Sequence, residues 1–383
     1  MRRTPLAWLN LTHNRRRLAL AAAGVGFAVL LMCMELSFRD ALFDSTVAVL
    51  RQMNADLVIA SRAQYTIIVG QPFPHRRLVQ ARSSEAVAAA YPLYIETKRS
   101  NLKNPLTGEA LPIRVLAFNP DDPVFNLPAV NEHLHDLRLP DRALYDRKSK
   151  PEYGEVLPGT SIELAGSRLQ VIGLFSLGTD FANDGNLITS DLTFSRLFPA
   201  APGENPLDTV DIGLVKLNPG WDKEEAASKL RERLADDVAV FTLEEYVERE
   251  LNFWKTSTPI GYIFWLGALM GFIVGGVICY QILYTDVSDH LPEFATLKAM
   301  GYANRYFIWV ILQESILLSL LGFFPGVAAS ELVCRAVAWL TNLRVAVHTP
   351  TAVAVLSMSV LMCIVSGLIA VRRVMKLDPA ELF

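Results

Sequence analysis

A chain of 383 residues with 51% hydrophobic and 20% charged residues and a mean hydropathy of +0.28 is too apolar for an ordinary soluble enzyme, in which roughly a quarter of residues carry charge. A net charge of −3 with a pI near 6.1 offers no basic field for polyphosphate, which excludes nucleic acid as a partner. The apolar excess sits in four long blocks. The composition therefore describes a membrane protein carrying one large water-exposed domain.

Residues 1–17 form a cytoplasmic N-terminal amphipathic segment with Arg2, Arg3, Arg15, Arg16 and Arg17. The first apolar block, residues 18–38, has Glu35 as its only charge. It is too long for a signal-peptide core and no small-x-small cleavage site follows, so it reads as an anchor. Residues 260–284 and 351–371 carry no charge, while residues 307–332 contain Glu314 and Glu331. Each block exceeds the roughly 20 residues that cross a hydrocarbon core at about 1.5 Å per residue. The basic flanks, completed by Arg372, Arg373 and Lys376 in the 372–383 tail, place both termini in the cytoplasm. Residues 285–306 are then a cytoplasmic loop, residues 333–350 a short outer turn, and residues 39–259 an outer domain. The expected fold class is membrane α-helical, with four transmembrane helices and a large α+β periplasmic domain between helices 1 and 2.

The outer domain has no cysteine; Cys33, Cys279 and Cys363 fall inside spans and Cys334 at the outer end of the third. Disulfides and thiol chemistry are unavailable to it. Runs enriched in β-branched and aromatic residues predict strands at 56–60, 65–69, 93–98, 113–118, 161–164, 169–175 and 211–217. Helical patterns predict helices at 84–90, 191–197 and 221–234, and the 119–159 stretch reads as loops and short helices. Thr242 followed by Glu245 is a capping box, opening a helix over 242–255 that should run into the second span. Residues 42–53 likewise continue from the first, so the domain would hang on two helical stalks.

No nucleotide-binding G-x-x-x-x-G-K-[ST] loop, H-E-x-x-H or G-x-S-x-G occurs, so no catalysis is expected of this chain. His133 and His135, beside Glu132 and Asp136, read as a solvated turn in preference to a metal site. Gly267, Gly271 and Gly275 form a small-xxx-small ladder, as do Gly322 and Gly326, which suits helix packing or reflects ordinary glycine usage in membrane helices. Glu314 is expected to snorkel or to pair with Arg305 or Lys298, and Glu35 to face the interface.

The strongest functional text is the cytoplasmic loop. A short helix over 293–300, ended by Gly301 as a left-handed cap, presents Phe294, Leu297 and Met300 as an apolar face between charged Glu293 and Lys298. It either folds back on the membrane surface or docks into a partner's groove. The string Glu293-Phe294-Ala295-Thr296-Leu297-Lys298-Ala299-Met300-Gly301 resembles the E-I-G-x-L-R-A-L-G motif of FtsX/MacB-type ABC transporter permeases. Ala295 stands where that motif has Gly, and Pro292 where a basic residue is common. Gln313 to Gly322 and the Val374 to Leu382 stretch are also similar to the family. Pro5-Leu6-Ala7-Trp8-Leu9, Phe38 to Asp44, Gly173-Leu174-Phe175 and Asp184-Gly185-Asn186 resemble its cyanobacterial DevC subgroup most.

The resemblance implies a non-catalytic permease subunit of an exporter in a bacterial inner membrane. Such a subunit forms a homodimer and binds a separate ABC ATPase subunit, which holds the ATP and Mg, through Glu293, Phe294, Leu297, Lys298, Met300, Gly301 and Tyr302. It also implies a periplasmic adaptor (membrane fusion protein), a TolC-like outer-membrane channel, and mechanotransmission to the outer domain. A permease-like regulatory scaffold acting on a periplasmic partner without transport is the alternative. A ligand-sensing receptor is a third reading, disfavoured because no long cytoplasmic output segment exists.

Overall fold

The computed structural model describes residues 15–341 and 345–375. Most of the N-terminal segment, with Pro5-Leu6-Ala7-Trp8-Leu9, lies outside the described residues, as does the tail from Lys376 onward. The chain divides into two compact units, Leu42–Thr258 and a second made of Met1–Ala41 with Pro259–Phe383. One helix, α1 (Arg15–Thr46), runs unbroken from the helical unit into the inserted one.

The inserted unit follows the order α2 (Ala48–Arg51), β1 (Leu57–Ser61), β2 (Phe73–Pro74), α3 (Arg76–Arg82), β3 (Val87–Glu96), β4 (Asn101–Lys103), β5 (Ala110–Pro112) and β6 (Arg114–Phe118). Then come α4 (Pro128–Asn131), α5 (Leu134–Leu137), β7 (Arg142–Asp146), β8 (Ser161–Leu164), β9 (Ser167–Phe175), β10 (Asn186–Ser190) and α6 (Asp191–Leu197). It closes with β11 (Thr209–Val210), β12 (Ile212–Leu217), α7 (Lys223–Arg233), β13 (Val238–Thr242) and α8 (Leu243–Thr256). Eleven strands make one mixed sheet in the order β13-β1-β12-β3-β6-β10-β7-β9-β8-β4-β5. Strand β1 sits between β12 and β13, the last two strands of the unit. Both ends of the insert therefore close on one edge of the sheet, which lets a long domain enter and leave between two membrane helices.

The sheet is covered on both faces. Along β1, Leu57 and Ile59 join one core with Leu78, Phe194 and Leu230 from α3, α6 and α7. Val58 and Ala60 point the other way, into a core with Leu50, Val130, Leu137 and Tyr246. That alternation is the period-2 geometry of a strand buried on both sides.

Several expected elements are corrected. The 65–69 run is turn and bend with no strand; the Thr66 hydroxyl and the Ile67 amide instead hydrogen-bond the Glu250 carboxylate. The 84–90 helix is replaced by the start of β3, because Ala89 and Ala90 pair with Lys216 and Val215 and cross-strand pairing overrides alanine's helical preference. Helix α3 lies just upstream, and its Arg82 guanidinium donates to the Ala90 carbonyl. The 119–159 stretch holds a full strand, β7, besides its short helices. Helix α8 stops at Thr256 rather than running into the next span, with Ser257 at its C-cap and Pro259 opening the helix beyond.

The helical unit contains α1, α9 (Ile260–Asp289), α10 (Leu291–Ala299), α11 (Asn304–Thr341) and α12 (Thr349–Met375). Four of them, all but α10, are long and apolar enough to cross a membrane. Ala21, Val25, Ala28, Val29, Met32, Cys33 and Leu36 form the buried stripe of α1, packed with Ala268, Cys279, Leu318, Val355 and Cys363. Meanwhile Tyr262, Ile263, Leu266, Met270, Ile273 and Val277 of α9 are exposed, an apolar surface that suits lipid and not water. Helix α11 continues past residue 332, through residues expected to form a turn. Glu331 and Arg335 interrupt the apolar run but pair across one helical turn at 2.9 Å, which supports the helix.

Candidate functional site

Helix α10 is seated by its own aromatic contacts. Pro292 occupies its first turn, where the missing N–H is no loss. Phe294 packs edge-on against Phe307 at the start of α11, with ring centroids 5.7 Å apart. Phe294, Val287, Phe307, Ile311 and Val371 form one cluster, with Leu291 and Leu297 packed on it. The ends of α9, α11 and α12 thus grip a single inward face of α10. Ala295 is fully buried on that face, so the departure from the family motif falls where a small residue is required.

The helix ends in a Schellman motif. The Gly301 amide donates to the Lys298 carbonyl at 3.0 Å and the Tyr302 amide to the Leu297 carbonyl at 3.2 Å. Gly301 has φ of +92°, the left-handed conformation that this motif demands of its C′ residue. Tyr302 stacks obliquely on Tyr306 at 4.9 Å.

This arrangement divides the expected docking residues. Phe294 is 6% exposed and faces inward, Leu297 is half-buried, and Met300 and Tyr302 are 64% and 46% exposed. Phe294, Leu297 and Met300 therefore do not make one outward apolar face. The outward surface consists of Pro292, Glu293, Thr296, Ala299, Met300, Gly301 and Tyr302, with Lys298 half-buried at its side. A fixed helix with a methionine and a tyrosine at its exposed end can press into an apolar groove on a partner.

Behind α10 lies a contact that sequence reading missed. Arg17 of α1 donates to Asp289 at 2.5 Å and approaches Asp286 at 3.8 Å. It joins the start of α1 to the last turn of α9, one residue before α10. Two carboxylates three apart at a helix end, opposite a run of arginines, were the available signal.

The glycines pack helices within the chain. A Cβ on Gly267 would meet the Glu35 carboxylate at 2.5 Å, and one on Gly271 would meet Met32 at 3.2 Å; one on Gly275 would collide with Ala28. The ladder of α9 thus lies along α1. Gly322 and Gly326 approach the backbone of Gly26, so α1 and α11 cross at glycine distance. Glu314 is 1% exposed and lies inside the bundle, so of its two expected roles, snorkelling or pairing with Arg305 or Lys298, snorkelling to the surface is ruled out. Ser319 and Ser359 share a hydrogen bond at 3.1 Å between α11 and α12.

In the inserted unit, the residues Asp184, Gly185 and Asn186 close a loop after β9. Asn186 accepts from Arg114 at 2.8 Å and donates to Asp146 at 2.8 Å. Arg114 also reaches Asp180 at 2.6 Å, both being buried. The Asp146 carboxylate accepts the amides of Leu177 and Gly178. The network is saturated and fixes the 176–185 loop, whose Phe181 packs edge-on against Trp254 of α8 at 5.5 Å. Trp254 donates to Glu250, whose carboxyl is held above the usual range by burial against the opposing bonds from Thr66, Trp254 and Ile67. His133 stands 3.6 Å from Asp136, and no group of three metal-ligating side chains exists among the described residues.

Residues 265–379 match the family model described as FtsX-like permease C-terminal, which takes in α10 and its seat. The chain is 26% identical over 249 residues to the macrolide export ATP-binding/permease protein MacB of Bdellovibrio bacteriovorus, covering 60% of this chain and 36% of that protein. It is 28% identical over 148 residues to the pyoverdine export ATP-binding/permease protein PvdT of Pseudomonas putida, covering 39% and 21%. The chain thus spans about a third of the length of the first relative and less of the second. Among solved structures it is similar to the periplasmic region of MacB from Actinobacillus actinomycetemcomitans, at 11% identity and a TM-score of 0.35, covering 51% of this chain and 92% of that one. The family match takes in α9 to α12, and both relatives carry the description of export ATP-binding/permease proteins.

Proposed function

We propose that this chain is the permease subunit of an ABC exporter in a bacterial inner membrane, of the DevC kind, with ATP hydrolysis carried by a separate subunit. The observation that carries the reading is α10, seated on three membrane helices by Phe294 and Leu297 while Met300 and Tyr302 remain exposed. A push on its outer surface is transmitted to α9, α11 and α12 because the packed face cannot yield separately. In this reading the inserted unit is periplasmic, two permease copies pair in the lipid bilayer, and an adaptor and a TolC-like channel complete the export route. The glycine-close crossings of α1 with α9 and α11 favour concerted movement of the bundle over independent sliding.

The test is recovery of the ATPase subunit with an affinity-tagged chain extracted from its native membrane. Met300→Asp and Tyr302→Ala should each reduce co-purification and coupled ATP hydrolysis at least tenfold, a change equal to about 1.4 kcal/mol. Both positions are exposed, so membrane insertion and thermal midpoint should stay those of the parent. Full recovery of the ATPase with Met300→Asp would remove α10 as the docking element.

A further inference from the structure

The inserted unit contains a cleft of about 250 Å³ between the 67–72 loop, the end of β3 and the segment that follows α6. Asp211, the residue before β12, lies at its floor. Its Oδ2 accepts from the Ile95 amide at 2.8 Å. Its Oδ1 accepts no hydrogen bond among the described residues and lies 3.5 Å from where a side chain on Gly70 would begin. One wall is aromatic: Tyr94 stacks on Phe194 at 5.7 Å, and Phe194 meets Phe198 at 5.1 Å.

The other charges around the cleft are already engaged or lie at the rim. Glu96 accepts the amides of Thr97, Lys98 and Arg99 and the Arg99 guanidinium at 2.7 Å. That guanidinium lies over the Phe198 ring at 5.5 Å. Lys98 is exposed at the rim, and the phenols of Tyr94 and Tyr246, pushed up mainly by burial, stay neutral. Among the described residues, the acceptor left without a protein donor is Asp211 Oδ1, in a cleft lined by polar groups together with the rings of Tyr94, Phe194 and Phe198.

We propose that this cleft binds a small organic ammonium ion, an amine with a compact aromatic or aliphatic body, using Asp211 as its counter-ion. A cleft of about 250 Å³ has room for such a body but not to enclose a large ligand. An ammonium group supplies the donor that Oδ1 lacks through a charge-assisted hydrogen bond, and the rings of Tyr94, Phe194 and Phe198 give its body an apolar wall. The inference stands on the inserted unit alone and does not depend on the ATPase partner.

Burial pushes the Asp211 carboxyl up to about 7, with the Ile95 amide opposing and Glu96 adding to the rise. Because the carboxyl is protonated below that pH, ammonium binding should weaken about tenfold or more on going from pH 8 to pH 5.5. The competing account is that Asp211 only caps the Ile95 amide.

The experiment uses the full chain in lipid nanodiscs, titrated with 4-fluorophenethylammonium and followed by fluorine NMR, with empty nanodiscs to subtract partitioning. The neutral twin is 4-fluorophenethyl alcohol. Asp211→Asn keeps an acceptor for Ile95 while removing the charge, and Gly70→Leu fills the cleft while leaving Asp211 in place. Saturable binding of the ammonium is expected, weakened at least tenfold by either variant and by the alcohol, with thermal midpoints no lower than the parent for Asp211→Asn. Absence of saturable binding, equal binding of the alcohol, or undiminished binding by Asp211→Asn would overturn the proposal.

Discussion

Gly301 holds the conformation on which the exposed end of α10 depends. At φ of +92°, with open space where a Cβ would stand, a substitution suffers backbone strain and no collision. Gly301→Val should cost about 1–2 kcal/mol locally, unwinding the Schellman turn and misplacing Tyr302. Asn tolerates the left-handed region better, so Gly301→Asn should retain most of the ATPase recovery that Gly301→Val loses. Equal recovery by the two would show that the turn is not what positions Tyr302. This residue was readable from sequence because a C′ glycine answers to its own turn, six residues long. Phe294 and Leu297 were not readable in the same way. Their periodicity marks an apolar face, but only the helices α9, α11 and α12 decide that the face is consumed inside the chain. Leu297→Asp accordingly attacks the seat of α10 and would confound docking with local unfolding, whereas Met300→Asp does not.

Helix α8 shows the same contrast at the scale of an element. Its capping box is complete, with the Glu245 amide donating to the Thr242 hydroxyl at 3.1 Å and the Thr242 amide to the Glu245 carboxylate at 2.8 Å. Arg231 of α7 pairs with the same carboxylate at 2.9 Å. Thr242→Ala should therefore cost about 1 kcal/mol and lower the unfolding midpoint of the inserted unit by roughly 2–4 °C for a domain of this size. Scanning fluorimetry of the variant checks this, and an unchanged midpoint would mean that β13 alone fixes the start of α8. The box is a local signal of four residues, which is why the helix was legible. Strand β13 was not, because Val238 to Thr242 is short and ends on the cap of the following helix. Strand β10 hides in the same way, since its last residue, Ser190, caps α6 by accepting the Thr193 amide. Strand β3 was misread through its alanines, whose partners on β12 lie more than a hundred residues away.

At the scale of the molecule, the insert enters and leaves on β1 and β13, adjacent strands at one edge of the sheet, while the membrane helices on either side carry basic clusters at one end. Arg15, Arg16 and Arg17 precede the first apolar stretch, Lys298 lies in the last turn of α10 and Arg305 in the first turn of α11, and Arg372 and Arg373 lie near the end of α12. Basic residues are retained on the cytoplasmic side, so this distribution predicts α10 inside and the insert outside. The four native cysteines are all buried and should react slowly, leaving an introduced thiol as the main target. Asp236, with a side chain 95% exposed, and Glu293, exposed on α10, report the two sides. In intact spheroplasts, Asp236→Cys should be labelled by a membrane-impermeant maleimide, and Glu293→Cys should be labelled only after permeabilisation. The reverse pattern would put α10 where no ATP is available and remove the exporter reading with it. Labelling of both thiols in sealed cells would instead break the four-span arrangement, because the single crossing by α9 places the insert and the α9–α11 connection on opposite sides.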